Sequence, residues 1–368
     1  MPFARVARSC LPAAAVLELT YRCNHRCRFC SCPWEDPRGN FERGTELSVP
    51  EWKHCIEQLI SLGVSSLSFT GGEPTLFNSL CELMEFAASL SAHHVAAVDG
   101  ELVERSGPPR QVLLTNGRTL NEDILHTCER LHTHLSISLP GLASFQELTG
   151  SDTNPSTVLK WLRRAKDLGV RTTAAVAVTR INLAELGETI GAALDAGADF
   201  LLLNRFLPGG RGLSSTQELA LRPDEIVDML KTAESALQRA NCKGTVGTEI
   251  PLCLTDGLES ETLQVSSKCA AATQFFVVGP SGRTRVCNHS PVQLAHYTEI
   301  ETLKRDPYWR RYALRELLPV ACHPCPHQLR CDGGCHEAAG IVFGSLSADD
   351  PSVVSMRYPV RRLPMLDD

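Results

Sequence analysis

The sequence predicts an α/β protein, a curved sheet of six β/α units followed by a smaller cysteine-rich domain. Three observations carry this. Strand-like and helix-like stretches alternate between residues 16 and 240. The joins Leu62-Gly63-Val64, Leu168-Gly169-Val170 and Ala196-Gly197-Ala198 repeat one pattern, a helix ended by a glycine that tolerates the left-handed cap before the chain turns into a strand. After residue 240 the alternation gives way to turns and cysteines. Six units imply parallel strands with helical crossovers, and because eight would close a full barrel, the fold is a partial (β/α)6 TIM-like barrel.

Each element has a local reason. Residues 16–20 read as the first strand. Ser48-Val49-Pro50-Glu51 is a capping box with proline in the first turn, and Trp52, Ile56, Leu59 and Ile60 follow at helical spacing. Gly63 stops that helix, residues 64–70 form the second strand and residues 79–90 the second helix. The polar stretch 91–110, with Asp99-Gly100 and Gly107-Pro108-Pro109, reads as a surface excursion. Strands follow at 112–115 and 134–139, with helices at 120–131 and 155–168; the last of these sets Val158, Leu162, Ala165 and Leu168 on one face. Residues 171–178 and 199–204 are the fifth and sixth strands, and Pro223-Asp224-Glu225 leads a helix to residue 240. Beyond it, Gly279-Pro280-Ser281-Gly282 between two short apolar or alternating runs signals a hairpin, and residues 308–318 are helical. The expected divisions are a flexible N-terminus at 1–15, the barrel at 16–240 and the second domain at 241–368.

Composition narrows the function. With 368 residues and 43% hydrophobic content the chain can bury a sizeable core. The net charge of -6 and the scattered basic residues argue against nucleic acid or an anionic membrane as partner. No apolar run approaches the roughly 20 residues of a membrane span. The apolar run before residue 18 is short, is broken by Glu18 and leads straight into a cysteine loop, unlike a signal peptide. The 16 cysteines fall mainly in two groups, which fits metal or cluster binding in a reducing cytoplasm better than a disulfide framework. Cys55, Cys81 and Cys128 sit in apolar helical patterns, as small core residues do.

Loops at the C-terminal ends of barrel strands carry the chemistry. The first of them reads Cys23-Asn24-His25-Arg26-Cys27-Arg28-Phe29-Cys30, a C-x3-C-x2-C spacing. One loop can thereby wrap three corners of a cube-shaped iron–sulfur cluster, leaving one iron without a protein ligand. A zinc knuckle has similarly short spacing, and these eight residues alone leave both open. Gly71-Gly72-Glu73-Pro74 follows the second strand; its glycines permit close backbone approach of a ligand and Glu73 supplies a carboxylate. By itself the tetrapeptide is a common turn.

Taken together, Cys23, Cys27 and Cys30, then Gly71-Gly72-Glu73-Pro74, then Thr115-Asn116-Gly117 and Ser136-Ile137-Ser138-Leu139, at successive strand ends, resemble the radical S-adenosylmethionine (SAM) enzymes. The resemblance covers about residues 16–211. It implies that the three cysteines hold a [4Fe–4S] cluster whose fourth iron is chelated by SAM, and that reductive cleavage of SAM yields a 5′-deoxyadenosyl radical that abstracts hydrogen from a substrate. It further implies that Phe29 lies against the adenine, that Gly71, Gly72, Glu73 and Pro74 contact the methionyl amine, and that Asn116 and Ser138 are candidates for ribose or carboxylate contact. The segment from Asn204 to Gly212 is similar to one in members that modify peptides or haem precursors, where Arg205 and Arg211 would hold a carboxylate.

The C-terminal part carries Cys269-x12-Gly282-x4-Cys287 and then Cys322-x2-Cys325-x5-Cys331-x3-Cys335. Read from spacing, these thiols are metal ligands, structural zinc included. The arrangement resembles the SPASM domain, an auxiliary iron–sulfur extension of radical SAM enzymes, or its shorter "twitch" form. By that resemblance Cys269, Cys287 and Cys335 serve a nearer cluster and Cys322, Cys325 and Cys331 a farther one. The family's seventh cysteine is missing after Cys335, and Cys253 is a candidate fourth ligand for the nearer cluster.

The expected function is therefore that of a cytoplasmic radical SAM enzyme acting on a ribosomally made peptide, by crosslinking, oxidation or epimerisation of a residue. The alternatives are modification of a tetrapyrrole or other small molecule and, outside enzymes, a zinc-binding scaffold. The short stretch before residue 16 leads us to expect a separate leader-binding protein to deliver the peptide. A flavodoxin or ferredoxin is the expected electron donor.

Overall fold

The computed structural model describes residues 11–98, 101–258 and 260–357. Most of the expected flexible N-terminus, the Asp99-Gly100 pair and the last eleven residues of the second domain lie outside these.

In chain order the elements are β1 (Ala14–Glu18), α1 (Val49–Ser61), β2 (Ser66–Thr70), α2 (Leu80–Ser89), β3 (Ala92–Val98), β4 (Glu101–Gly107), β5 (Arg110–Thr115), α3 (Glu122–Leu131), β6 (His134–Ser138), α4 (Phe145–Thr149), α5 (Pro155–Asp167), β7 (Thr172–Val178), α6 (Leu186–Asp195), β8 (Phe200–Arg205), α7 (Thr216–Leu219) and α8 (Pro223–Ala240). After α8 come β9 (Lys243–Val246), α9 (Leu252–Thr255), β10 (Leu263–Val265), β11 (Phe275–Val278), β12 (Thr284–Arg285), α10 (Pro307–Ala313), α11 (His336–Phe343) and α12 (Pro351–Arg357).

The six expected strands are β1, β2, β5, β6, β7 and β8, all parallel to their neighbours. The sheet does not stop at residue 240. Strands β9 and β10 extend it past β8, and β11 pairs in parallel with β1 at the other edge, giving the order β10-β9-β8-β7-β6-β5-β2-β1-β11-β12. The C-terminal segment thus docks on both edges of the barrel sheet, which buries backbone groups that an open edge would leave unpaired.

Two expectations change in detail. The excursion 91–110 is largely an antiparallel pair, β3 with β4, in a separate two-stranded sheet. An Asp-Gly pair between alternating apolar residues is a hairpin signal that reading the stretch as polar passed over. The helix expected at 308–318 ends at Ala313, and Arg315 adopts φ 56° just beyond it.

Strand periodicity explains where the site lies. Leu17, Leu67, Phe69, Leu113, Leu201 and Leu203 are buried in the helix-packed core. The alternate residues, among them Val16, Glu18, Ser68, Thr70, Ala175, Ala177 and Asn204, line a cavity of about 490 Å³ on the other face. One face of each strand builds the core and the other, mostly small or polar, walls the site.

Candidate active site and cysteine clusters

The loop after β1 is held from three sides. Arg26 N donates to Thr149 O (2.9 Å) and Arg28 N to Leu148 O (2.8 Å), so α4 pins its middle. Gly212 N donates to Cys30 O (3.0 Å), tying its end to the segment after β8. On the third side Gly72 N donates to Thr20 O and Glu73 N to Arg22 O, each at 2.8 Å. A Cβ on Gly72 would stand 2.3 Å from Arg22 O. The close approach that needs glycine here is made by the backbone leading into Cys23.

Glu73 is buried and its carboxylate is fully engaged. It accepts from Thr75 Oγ1 (2.7 Å), Thr115 Oγ1 (2.6 Å) and Asn116 N (2.8 Å). Burial pushes its carboxyl up against these bonds. Glu73 therefore knots the ends of β2 and β5 together. Asn116 carries the knot onward, donating from Nδ2 to Asn24 Oδ1 (2.7 Å) beside Cys23, and Arg118 Nη1 donates to Asn24 O (2.6 Å).

Phe29, Cys30, Gly71 and Ser138 line the cavity. Phe29 also packs on the apolar group of Leu148, Phe206 and Leu219, which fixes its ring at the rim. The expectation that Phe29 faces a ligand therefore has room in this geometry. Burial drives the Cys27 thiol well above the usual range, and Cys23 is pushed up to about 11, again chiefly by burial. Three thiols on one loop form a soft donor set of the kind that takes zinc or an iron–sulfur cluster.

The same cavity is also lined by Cys269, Cys287 and Cys335, three thiols far apart in sequence that the fold brings to one cavity. Burial raises all three. Their backbone is held by charge. Arg285, from β12, pairs with buried Glu18 at the end of β1 and donates to Asn288 O (2.9 Å) and Ser290 O (3.0 Å), clamping the turn after Cys287. Asp332 Oδ2 accepts from Cys269 N (2.8 Å), and Asp350 Oδ2 accepts from Cys335 N (2.6 Å). His289 reaches Cys335 Sγ with Nδ1 (3.6 Å) and donates from Nε2 to Pro208 O (2.7 Å); burial lowers its pKa to about 4, so the ring is neutral. Glu337, also in the wall, accepts from Tyr308 and Tyr312 hydroxyls, each at 2.6 Å. Sequence reading passed over Glu18, Glu337 and these tyrosines. The one signal for Glu18 was a charge inside an apolar strand.

Besides Gly72 and Glu73, three sequence expectations differ from the geometry. Arg205 does not offer a guanidinium to a ligand: it is buried, with Nη2 donating to Asp350 Oδ2 (2.6 Å) and Nε to Glu249 O (3.2 Å). Arg211 pairs with Glu35. Cys253 stands not with Cys269, Cys287 and Cys335 but with Cys322, Cys325 and Cys331, around a second, very small cavity. Among the described residues all fifteen cysteines are outside disulfides, and no three His, Cys, Asp or Glu side chains converge on one point as a single-ion site requires. Nor, among them, is any helix long and apolar enough to cross a membrane.

Residues 17–193 match the family described as the Radical SAM superfamily. A PqqA peptide cyclase of Rhodopseudomonas palustris is 26% identical over 357 residues, covering 93% of this chain and 86% of the relative. One from Streptomyces rochei is 27% identical, covering 93% and 89%. The fold matches Streptococcus suis SuiB bound to S-adenosylmethionine, with TM-score 0.67, 15% identity and coverage of 93% and 77%. It also matches native anSMEcpe with bound AdoMet and a Cp18Cys peptide, with TM-score 0.66, 18% identity and coverage of 94% and 94%.

Proposed function

We propose that this chain, whose residues 17–193 match the Radical SAM superfamily, uses S-adenosylmethionine and a [4Fe–4S] cluster held by Cys23, Cys27 and Cys30 to modify a ribosomally made peptide. The observation that carries the reading is the cavity itself: Phe29 and Cys30 line it together with Cys269, Cys287 and Cys335. Its volume is in the range of small-molecule sites. The peptide substrate follows from the relatives named peptide cyclases, which align along nearly the whole chain.

Held there, the cluster and SAM would supply radical hydrogen abstraction from an unactivated carbon. The chain's own residues bind, orient and exclude water. Phe29 offers an apolar face for the adenine, and Gly71 and Ser138 supply backbone and hydroxyl groups along the cavity. Glu73 and Asn116 act through the loop as positioning residues, holding residues 20–24 and so Cys23 in place. Residues 241–368 would form the auxiliary cluster domain, with Cys269, Cys287 and Cys335 toward the substrate. A separate leader-binding protein and a flavodoxin or ferredoxin would serve it in the cytoplasm.

The test is anaerobic. Iron-reconstituted protein given SAM and dithionite should release 5′-deoxyadenosine and change the mass of a peptide encoded by a small reading frame beside the gene. Replacing Cys23, Cys27 and Cys30 by Ala should abolish both while leaving iron at the C-terminal cysteines. A colourless zinc protein that forms no 5′-deoxyadenosine refutes the proposal. Turnover of a porphyrinoid with no peptide product would move the substrate to the tetrapyrroles.

A further inference from the structure

We propose that Cys253, Cys322, Cys325 and Cys331 are the four protein ligands of one auxiliary iron–sulfur cluster, with Cys253 taking the place left by the missing last cysteine. This rests on the reading of the C-terminal cysteines as cluster ligands.

The four thiols wall a single cavity of about 10 Å³, whose lining includes no carboxylate. Cys253 comes from α9, in the segment that follows barrel strand β9, whereas the other three come from one compact loop. That loop is tightly wound: Cys322 N donates to Pro319 O (2.8 Å) and Cys325 N to Cys322 O (3.1 Å). Gly333 N donates to Cys331 Sγ (3.3 Å), the kind of bond that tunes a cluster sulfur. Gly333 sits at φ 85°, and a Cβ there would stand 2.7 Å from Pro319 Cδ and 3.3 Å from Cys322 Sγ. Only glycine lets the two halves of the loop close around the site.

The two segments are fastened to each other. Ile250 N donates to Ser266 O (2.8 Å), Asp332 N to Ser267 O (3.0 Å), and Ser267 Oγ to Arg330 O (2.7 Å). The stretch before Cys253 and the stretch holding Cys331 thus grip the same short linker. An all-thiol set selects zinc or iron–sulfur clusters. The loop alone covers three corners, and Cys253 is the remaining thiol in the wall. His327 also lines the cavity and is the competing ligand.

The test uses the full chain with Cys23, Cys27 and Cys30 replaced by Ala, reconstituted with iron and sulfide, as parent. Adding Cys253→Ala should remove about four irons and four sulfides per chain, or leave a [3Fe–4S] signal in the electron paramagnetic resonance spectrum. Cys253→Ser, which keeps size and hydrogen bonding, should retain iron but shift that spectrum. Cys242→Ala, at a thiol packed on the barrel core, controls for general disruption and should match the parent. Iron and spectrum unchanged by Cys253→Ala overturn the assignment, as does iron loss on His327→Ala but not on Cys253→Ala. A parent that holds zinc and no iron refutes the cluster reading on which the assignment stands.

Discussion

Arg205 at the end of β8 and Asp350 just before α12 form a buried ion pair, Nη2 to Oδ2 at 2.6 Å, across 145 residues of sequence. Burial alone would raise the Asp350 carboxyl; the Arg205 charge outweighs that and holds it below the usual carboxylate range. The same carboxylate oxygen accepts from Cys335 N, so the pair anchors a proposed cluster ligand to the barrel. Asp350→Asn leaves the guanidinium buried beside a neutral partner, and Asp350→Ala leaves it alone. The expected cost for Asp350→Ala is about 3–5 kcal/mol, read from urea denaturation. Arg205→Met with Asp350→Leu should recover part of it: the unpaired charge is gone, but Cys335 N and Ser352 N lose their acceptor.

Gly72 is where two backbones touch. Gly72→Ala places a Cβ 2.3 Å from Arg22 O, a contact that only displacement of the Cys23 loop relieves. We expect a stability loss of about 1–3 kcal/mol and reduced iron at the cluster proposed for Cys23, Cys27 and Cys30. Iron content measured in a chain whose C-terminal cysteines are intact, before and after the Cys23, Cys27 and Cys30 replacements, separates that site from the others.

Glu18 and Arg285 repeat the same logic at the other edge, 267 residues apart. Glu18→Ala strands the Arg285 guanidinium, which is buried and also stacks over Trp34 (5.7 Å). The expected cost is again about 3–5 kcal/mol. Because Arg285 clamps the turn after Cys287, iron should be lost from the C-terminal cysteines; Glu18→Gln should keep part of it.

His134 supplies a pH test away from the cysteines. Burial, then the nearby Arg171, lowers its pKa, and Nε2 lies 2.6 Å from Thr173 Oγ1. The unfolded chain, with a pKa of about 6.5, takes up the proton first as pH falls. This contribution to stability is therefore present above about pH 6.5 and is lost as pH falls below it toward the folded value. His134→Gln should flatten the fall in melting temperature between pH 7.5 and 5.5, without removing it, since His336 is lowered as well.

What the sequence determined by itself was local or periodic. The six parallel strands follow from apolar runs separated by capped helices, and the cysteine loop and Gly-Gly-Glu-Pro turn are contiguous motifs that, read together at successive strand ends, point to one chemistry. Tertiary structure decided what depends on residues distant in the chain. It set β11 beside β1 and β9 beside β8, gave Arg205 to Asp350 in place of a ligand, and made Glu73 a knot between strand ends. It also moved Cys253 from the set of Cys269, Cys287 and Cys335 to that of Cys322, Cys325 and Cys331. Spacing along the chain specifies which thiols one loop can offer to a cluster. A ligand contributed from another segment is fixed only by packing and backbone hydrogen bonds that bring the two segments together, and those leave no periodic mark in the sequence.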